Sequence, residues 1–253
     1  MDVMTHEAMQ IDGAQARRWR KCAAHIFLAV FALLMMVATV SAAVSDADLA
    51  ALGDAEYAKR HAAMRELLAD DSLTMQQLAA AFSKAQSVEQ KHRLLSLARH
   101  HLLRLARERD YPISPNSVVQ GIPGALGLTH GPVTSDELPQ LKQSAVRVRR
   151  TLPGFPAHTV LEAGDLILKI AGNAIPAGLS FDRISNHFGD AIRMIPAGQS
   201  VALTIQRDGQ VMEVKVKLGP LDALSGMYRP ELRSDYERAW VKFRDEVLLK
   251  EEK

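Results

Sequence analysis

The spacing of apolar residues changes character three times along the chain. An uncharged apolar block runs from Ile26 to Val40, just after Arg17, Arg18, Arg20 and Lys21. From Asp46 to about Arg109 the apolar positions recur every three or four residues, which predicts helices. One opens at Gly53-Asp54 and runs to Ala69 with Tyr57, His61, Met64, Leu67 and Leu68 on one side. A second, capped by Ser72, carries Leu73, Leu78, Ala81 and Phe82. A third carries Leu94, Leu95, Leu97, Ala98, Leu102, Leu105 and Ala106. Ser87 with Gln90 three residues on is a capping box, in which each side chain satisfies an orphan amide of the helix start. Tyr111-Pro112 ends the third helix, because proline cannot sit in a helix interior. Residues 111–123 hold Pro112, Pro115, Pro123 and Gly121 and read as a linker.

Beyond the linker the period falls to two. Residues 145–150 alternate apolar and charged side chains, as a half-buried strand does. Leu166 to Ile170 is an apolar run of strand length between turn signals at Pro153-Gly154, Ala163-Gly164-Asp165 and Gly172-Asn173. Ser135 to Gln143 allows a helical turn. Phe181, Ile184, Phe188, Ile192 and Ile195 return to helical spacing until Pro196-Ala197-Gly198 breaks it. Ser200 to Gln206 and Val211 to Leu218 then alternate on either side of Arg207-Asp208-Gly209-Gln210, a hairpin signal. Pro230 opens a last helix from its favoured first-turn position, with Leu232, Tyr236, Ala239, Trp240, Phe243, Val247 and Leu248 on one face. That face docks on the chain's own domains or seats a partner.

Pro153, Gly154, Pro156, Ala157, Gly164, Asp165, Ile167, Gly172 and Ile175 together resemble the PDZ domains attached to HtrA-type, site-2 and C-terminal processing proteases. The final hairpin extends the likeness, to about 95 of 253 residues. The resemblance implies a loop of apolar-Gly-apolar type that offers backbone amides to a peptide carboxylate. Leu126, Gly127 and Leu128 match it; read without the family, they are a strand start with a bulge glycine. It also implies a groove that adds an extended peptide as a strand. The helix from Phe181 forms its other wall, and Leu126, Leu128, Ile184 and Phe188 line either the pocket or the core. Leu52 to Leu68 looks like the first helix of a HEAT-like pair; a small three-helix bundle fits as well. The expected class is α+β. Residues 1–43 are a signal peptide or anchor, 44–110 a helical domain, 111–123 a linker, 124–220 a PDZ-like partly open barrel, and 221–253 a linker with the C-terminal helix.

Composition adds little beyond exclusions. The net charge of +2 gives no concentrated basic face for nucleic acid. Cys22, in the leader, is the sole cysteine, so residues after it form no disulfide or thiolate metal site. The basic segment, apolar block and Ser41-Ala42-Ala43 fit an export signal, while residues 22–44 are just long enough for an anchor. Both predict the bulk of the protein outside the cytoplasm, in the periplasm or cell envelope.

No His-Glu-x-x-His, Gly-x-Ser-x-Gly or phosphate-loop motif occurs. His100 and His101 are neighbours on a helix, without the spacing of a metal pair, and read as surface residues. Asp165 reads as a turn residue that caps local amides. No catalytic residue, metal or cofactor is expected. The expected function is non-enzymatic binding of protein C-termini or extended peptides. The alternative is a structural or protease-accessory protein whose groove is occluded.

Overall fold

The computed structural model describes residues 44–114, 120–228 and 230–250. The expected leader or anchor therefore lies outside the described residues. Among the described residues no helix is long and apolar enough to cross a membrane.

Four helices come first: α1 (Asp46–Leu52), α2 (Tyr57–Ala69), α3 (Met75–Lys84) and α4 (Val88–Asp110). Three open with reciprocal capping boxes, Ser45 with Asp48, Thr74 with Gln77, and Ser87 with Gln90. One of these differs from the sequence expectation. Ser72 does not cap α3; its hydroxyl turns back to Asp70 Oδ1 at 2.6 Å. Thr74 takes the role because Gln77, three residues on, can close the box. The helix expected from Gly53-Asp54 to Ala69 forms as α2 from Tyr57, and a break at residues 53–56 separates it from α1, a further element ahead of it. Gln90 ties the break in place, its Nε2 donating to the Leu49 carbonyl at 2.7 Å.

The second half is mixed. In order come β1 (Gly124–Ala125), β2 (Leu128–Val133), a 3₁₀ turn (Pro139–Leu141), β3 (Ala145–Thr151), α5 (Ala157–Val160), β4 (Leu166–Ile170), β5 (Asn173–Ala174) and α6 (Phe181–Arg193). The β6 (Ser200–Arg207) and β7 (Gln210–Lys217) hairpin follows, then β8 (Gly219–Pro220), α7 (Leu221–Tyr228) and α8 (Pro230–Phe243). The main sheet is antiparallel in the order β2-β3-β4-β6-β7, with β5 appended to β4, and it is not closed: β2 and β7 are its edges. The class is α+β, as expected. One element was not foreseen. Leu221 to Tyr228, read as linker, is helical and leads directly into α8.

Two cores result. Val146, Val148, Ile167, Ile170, Leu203, Ile205 and Val216 from the sheet pack against Ile184, Phe188 and Ile192 of α6. Leu52, Leu67, Leu78, Phe82, Leu94 and Leu97 fill the helical layer, where Trp240 and Leu248 join them. The C-terminal helix thus docks on its own chain. Arg99 Nη2 to Glu237 Oε1 at 2.6 Å and Tyr236 hydroxyl to Asp110 Oδ2 at 3.0 Å fix its direction.

Asp165 does more than cap. Only 1% exposed, it accepts from the Glu162 amide at 2.8 Å and from Arg207 through both carboxylate oxygens, Nε to Oδ1 at 2.8 Å and Nη2 to Oδ2 at 2.7 Å. Arg207 also donates to the Val160 carbonyl at 3.0 Å, which joins α5 to the hairpin. Glu162 carries the network to α2 through His61 Nε2 at 3.3 Å. Removing one partner leaves a buried charge without compensation. Arg207→Ala is therefore expected to cost about 3–5 kcal/mol, measured as a fall in the urea midpoint at unchanged slope.

The helical layer and the sheet meet at Gly154. Its φ is +84°, and a Cβ there would lie 2.8 Å from the Leu103 carbonyl carbon of α4. Gly178 has φ +70° and open space around it. Gly178→Ala should therefore show only the backbone term, about 1 kcal/mol, whereas Gly154→Ala should exceed it by at least about 1–2 kcal/mol through the added clash. Paired thermal melts give the comparison.

Candidate functional site

The segment before β2 is tied down on two sides. The Gly124 amide donates to the Ile195 carbonyl at 2.9 Å, past the end of α6. Gly124 and Ala125 pair with Pro220 and Gly219, and the Leu221 amide donates to the Pro123 carbonyl at 2.9 Å. Leu126 and Gly127 come next, and among the described residues neither amide donates to a backbone carbonyl. Gly127 has φ +73°, which glycine adopts without strain. It also has no room for a side chain, since a Cβ would come within 2.1 Å of Phe155. Phe155, 1% exposed, supports the loop from beneath.

The edge strand continues the pattern. The Leu152 amide donates to the Gly127 carbonyl at 2.8 Å, and Leu128 sits opposite Thr151. That places Leu128 in a non-hydrogen-bonded pair of the ladder, so its own N–H and C=O point off the sheet edge. A register shift between Thr129 and His130 and a proline at 132 then alter the edge further along. Three successive backbone groups, at 126, 127 and 128, are thereby available at one place.

Beside them α6 packs along β2 and closes an apolar pocket of about 160 Å³. Leu126, Gly127 and Leu128 line it from the loop, His130 from the strand, and Phe188, Gly189, Ile192 and Arg193 from α6. Leu221 and Leu224 of α7 form the remaining wall. The His130 and Phe188 rings lie 4.8 Å apart. Burial, with the Arg149 guanidinium nearby, holds His130 below its ordinary pKa. Arg193 folds back over Gly189 at the pocket margin and pairs with Asp190.

Four of the five residues singled out from the sequence, Leu126, Gly127, Leu128 and Phe188, meet at this pocket. Ile184 does not. It is 0% exposed and belongs to the core between α6 and the sheet, because the helix turns that position straight onto the strands. His130, Gly189, Arg193, Leu221 and Leu224 were not foreseen. Ile192, one turn after Phe188 on the same face, was legible as a helix-face residue.

His100 and His101 are not surface residues; they are 1% and 0% exposed. His100 Nδ1 accepts from the Gly154 amide at 3.1 Å, which fixes its proton on Nε2. Its ring stacks on His158 at 5.1 Å, and His158 Nδ1 meets Thr151 Oγ1 at 2.9 Å. His101 Nε2 bonds to the Leu67 carbonyl at 3.0 Å. Among the described residues no group of three or more His, Cys, Asp or Glu could hold a metal.

Burial first, then the neighbouring His158, lowers the His100 pKa to about 2, and burial with Arg65 lowers His158 to about 4. Both are neutral in the fold and take up protons near 6.5 once unfolded, so the unfolded chain binds more protons below that value. Their contribution is fully present above pH 6.5. It falls as pH drops, for both down to about 4 and for His100 alone towards about 2. Each neutral histidine well inside its window contributes a slope of up to about 1.4 kcal/mol per pH unit. Denaturation midpoints measured between pH 7 and pH 4 should decline, and His158→Gln should flatten the decline.

No protein-family model matches the sequence, and no curated protein does either. Solved structures of similar shape include an HtrA-type protease, AlgW with decapeptide. It is 21% identical, with a TM-score of 0.32 over 39% of this chain and 30% of that one. A variant of AlgW, also with decapeptide, matches at 21% identity and a TM-score of 0.33 over 41% of this chain and 33% of that one. The chain thus spans about a third of the length of these proteases, and no residue role is carried across.

Proposed function

We propose that this chain is a non-enzymatic peptide-binding module of the cell envelope that takes protein C-termini or extended segments as an added strand on β2, in the manner of a PDZ domain. The observation that carries this reading is the edge at 126–128. Two loop amides without backbone acceptors and one outward-facing strand residue adjoin an apolar pocket. A terminal carboxylate would take its hydrogen bonds from these amides, and the last side chain would enter the pocket. The 160 Å³ pocket admits one aliphatic side chain rather than a drug-sized ligand. Affinity of this kind reaches the micromolar range, about −8 kcal/mol.

A second reading has its own observation. Leu221 and Leu224 place α7 against the loop end of the pocket, so the same pocket could be a packing seam inside a structural or protease-accessory protein.

A C-terminal peptide library, free and amidated, separates the two. Free-carboxylate peptides ending in an aliphatic residue should bind, and amidation should abolish the binding. Gly189→Phe adds a ring at the pocket margin from a helical position without positive φ, and should weaken binding at least about tenfold while the melting temperature holds. Equal binding of amidated peptides would refute carboxylate reading. Absence of any binding by the folded protein would favour the occluded groove.

A further inference from the structure

A second cavity, of about 550 Å³, lies between α4 and the β6–β7 hairpin. Its charges do not balance. Arg104 and Arg107 face it from α4 and Lys215 and Lys217 from β7, against the two carboxylates of Asp71 and Glu108. Arg104 Nη1 lies 3.4 Å from each of those carboxylates, and Arg107 Nη2 lies 3.2 Å from Glu108. The two acids are thus committed to the arginines. Lys215 and Lys217 form no ion pair among the described residues.

The arginines themselves are under-compensated. Both residues are 8% exposed, and Arg107 Nη1 and Arg104 Nε are buried without an acceptor and with essentially no accessible surface, so these atoms act on the cavity through their charge rather than by direct contact. Arg107 lies over the Phe155 ring at 5.4 Å, which only partly replaces a counter-ion. Burial lowers its pKa from the ordinary guanidinium value. Burying a guanidinium with unused donors is unfavourable unless an anion offsets it. The excess of two positive charges matches the charge of a phosphate monoester. Tyr111, Ile113, Phe155 and Val160 add apolar lining to the same cavity. Its volume falls in the range of small-molecule sites.

We propose that this cavity binds a small phosphate monoester with an apolar substituent. The phosphate is held in the field of Arg104 and Arg107 by Lys215 and Lys217, and the substituent lies on Tyr111 and Ile113. A phosphate suits a site that combines buried arginine charge with exposed lysines able to reach it. The site is separate from the edge at 126–128, and neither proposal depends on the other.

Titration calorimetry on the full chain with phenyl phosphate tests it. Saturable binding is expected, weaker by about tenfold for phenylacetate, which has one charge fewer, and for inorganic phosphate, which lacks the ring. The double variant Lys215→Gln, Lys217→Gln alters only exposed strand positions and should lose about tenfold or more, with an unchanged melting temperature. Lys169→Gln, at an exposed position outside the cavity, should bind as the parent does. Failure of phenyl phosphate to bind, or undiminished binding by the double variant, would overturn the proposal. Equal binding of phenylacetate would overturn the choice of phosphate, and equal binding of inorganic phosphate the apolar half of the site.

Discussion

The close approach of Gly154 to α4 is the constraint on which most of the architecture rests. A backbone with φ of +84°, packed against the main chain of Leu103 and Arg104, leaves no room for any side chain. His100 secures the contact by accepting the Gly154 amide. Phe155 follows immediately and supports Gly127, whose own φ and lack of Cβ are needed for that contact. Helical layer, support and groove loop are therefore linked through consecutive residues. A shift of α4 would be felt at the loop through the Phe155 ring rather than through a flexible connection.

Electrostatics reinforces the same joint from the other side. Asp165 holds Arg207, Arg207 reaches Glu162 at 2.5 Å, and Glu162 meets His61 and Arg65 of α2. The Asp165 end is deeply buried and bidentate, while the Glu162 end is partly exposed and screened. The first part therefore sets stability and the second mainly sets orientation. The neutral histidines between these two joints add a pH dependence, because a proton on His100 or His158 would be a charge with no counter-ion nearby.

Local rules carried much of this. Ser87 with Gln90, the period-two run at 145–150 and the Arg207–Gln210 turn each specify an element from neighbouring residues alone. The failures have separate causes. His100 and His101 look like surface residues because their partners, the Gly154 amide and the Leu67 carbonyl, lie 54 and 34 residues away. Ile184 and Phe188 share one face of one helix and one core, and only the tertiary packing of α6 leaves Phe188 also bordering the pocket. Helix α7 was obscured because Gly226 and Ser225 lower helix propensity in a segment held mainly by the Leu221 amide and by Ala223 packing on Leu152 and Phe155. Arg193 carried no signal, as a charged residue at a helix end is ordinary.

The two sheet edges differ in how they meet the solvent, which bears on the proposed groove. An exposed edge offers unpaired backbone groups to any extended chain, and proteins protect such edges with charge, proline and bulges. Strand β7 presents Glu213, Lys215 and Lys217 as exposed side chains, which oppose strand addition. Strand β2 has a register shift at Thr129/His130 and a proline at 132, so its far half is protected as well. Between Leu126 and Leu128 neither device is present. That short stretch lies next to an apolar pocket and a helix wall, which is where the proposed peptide would bury its end.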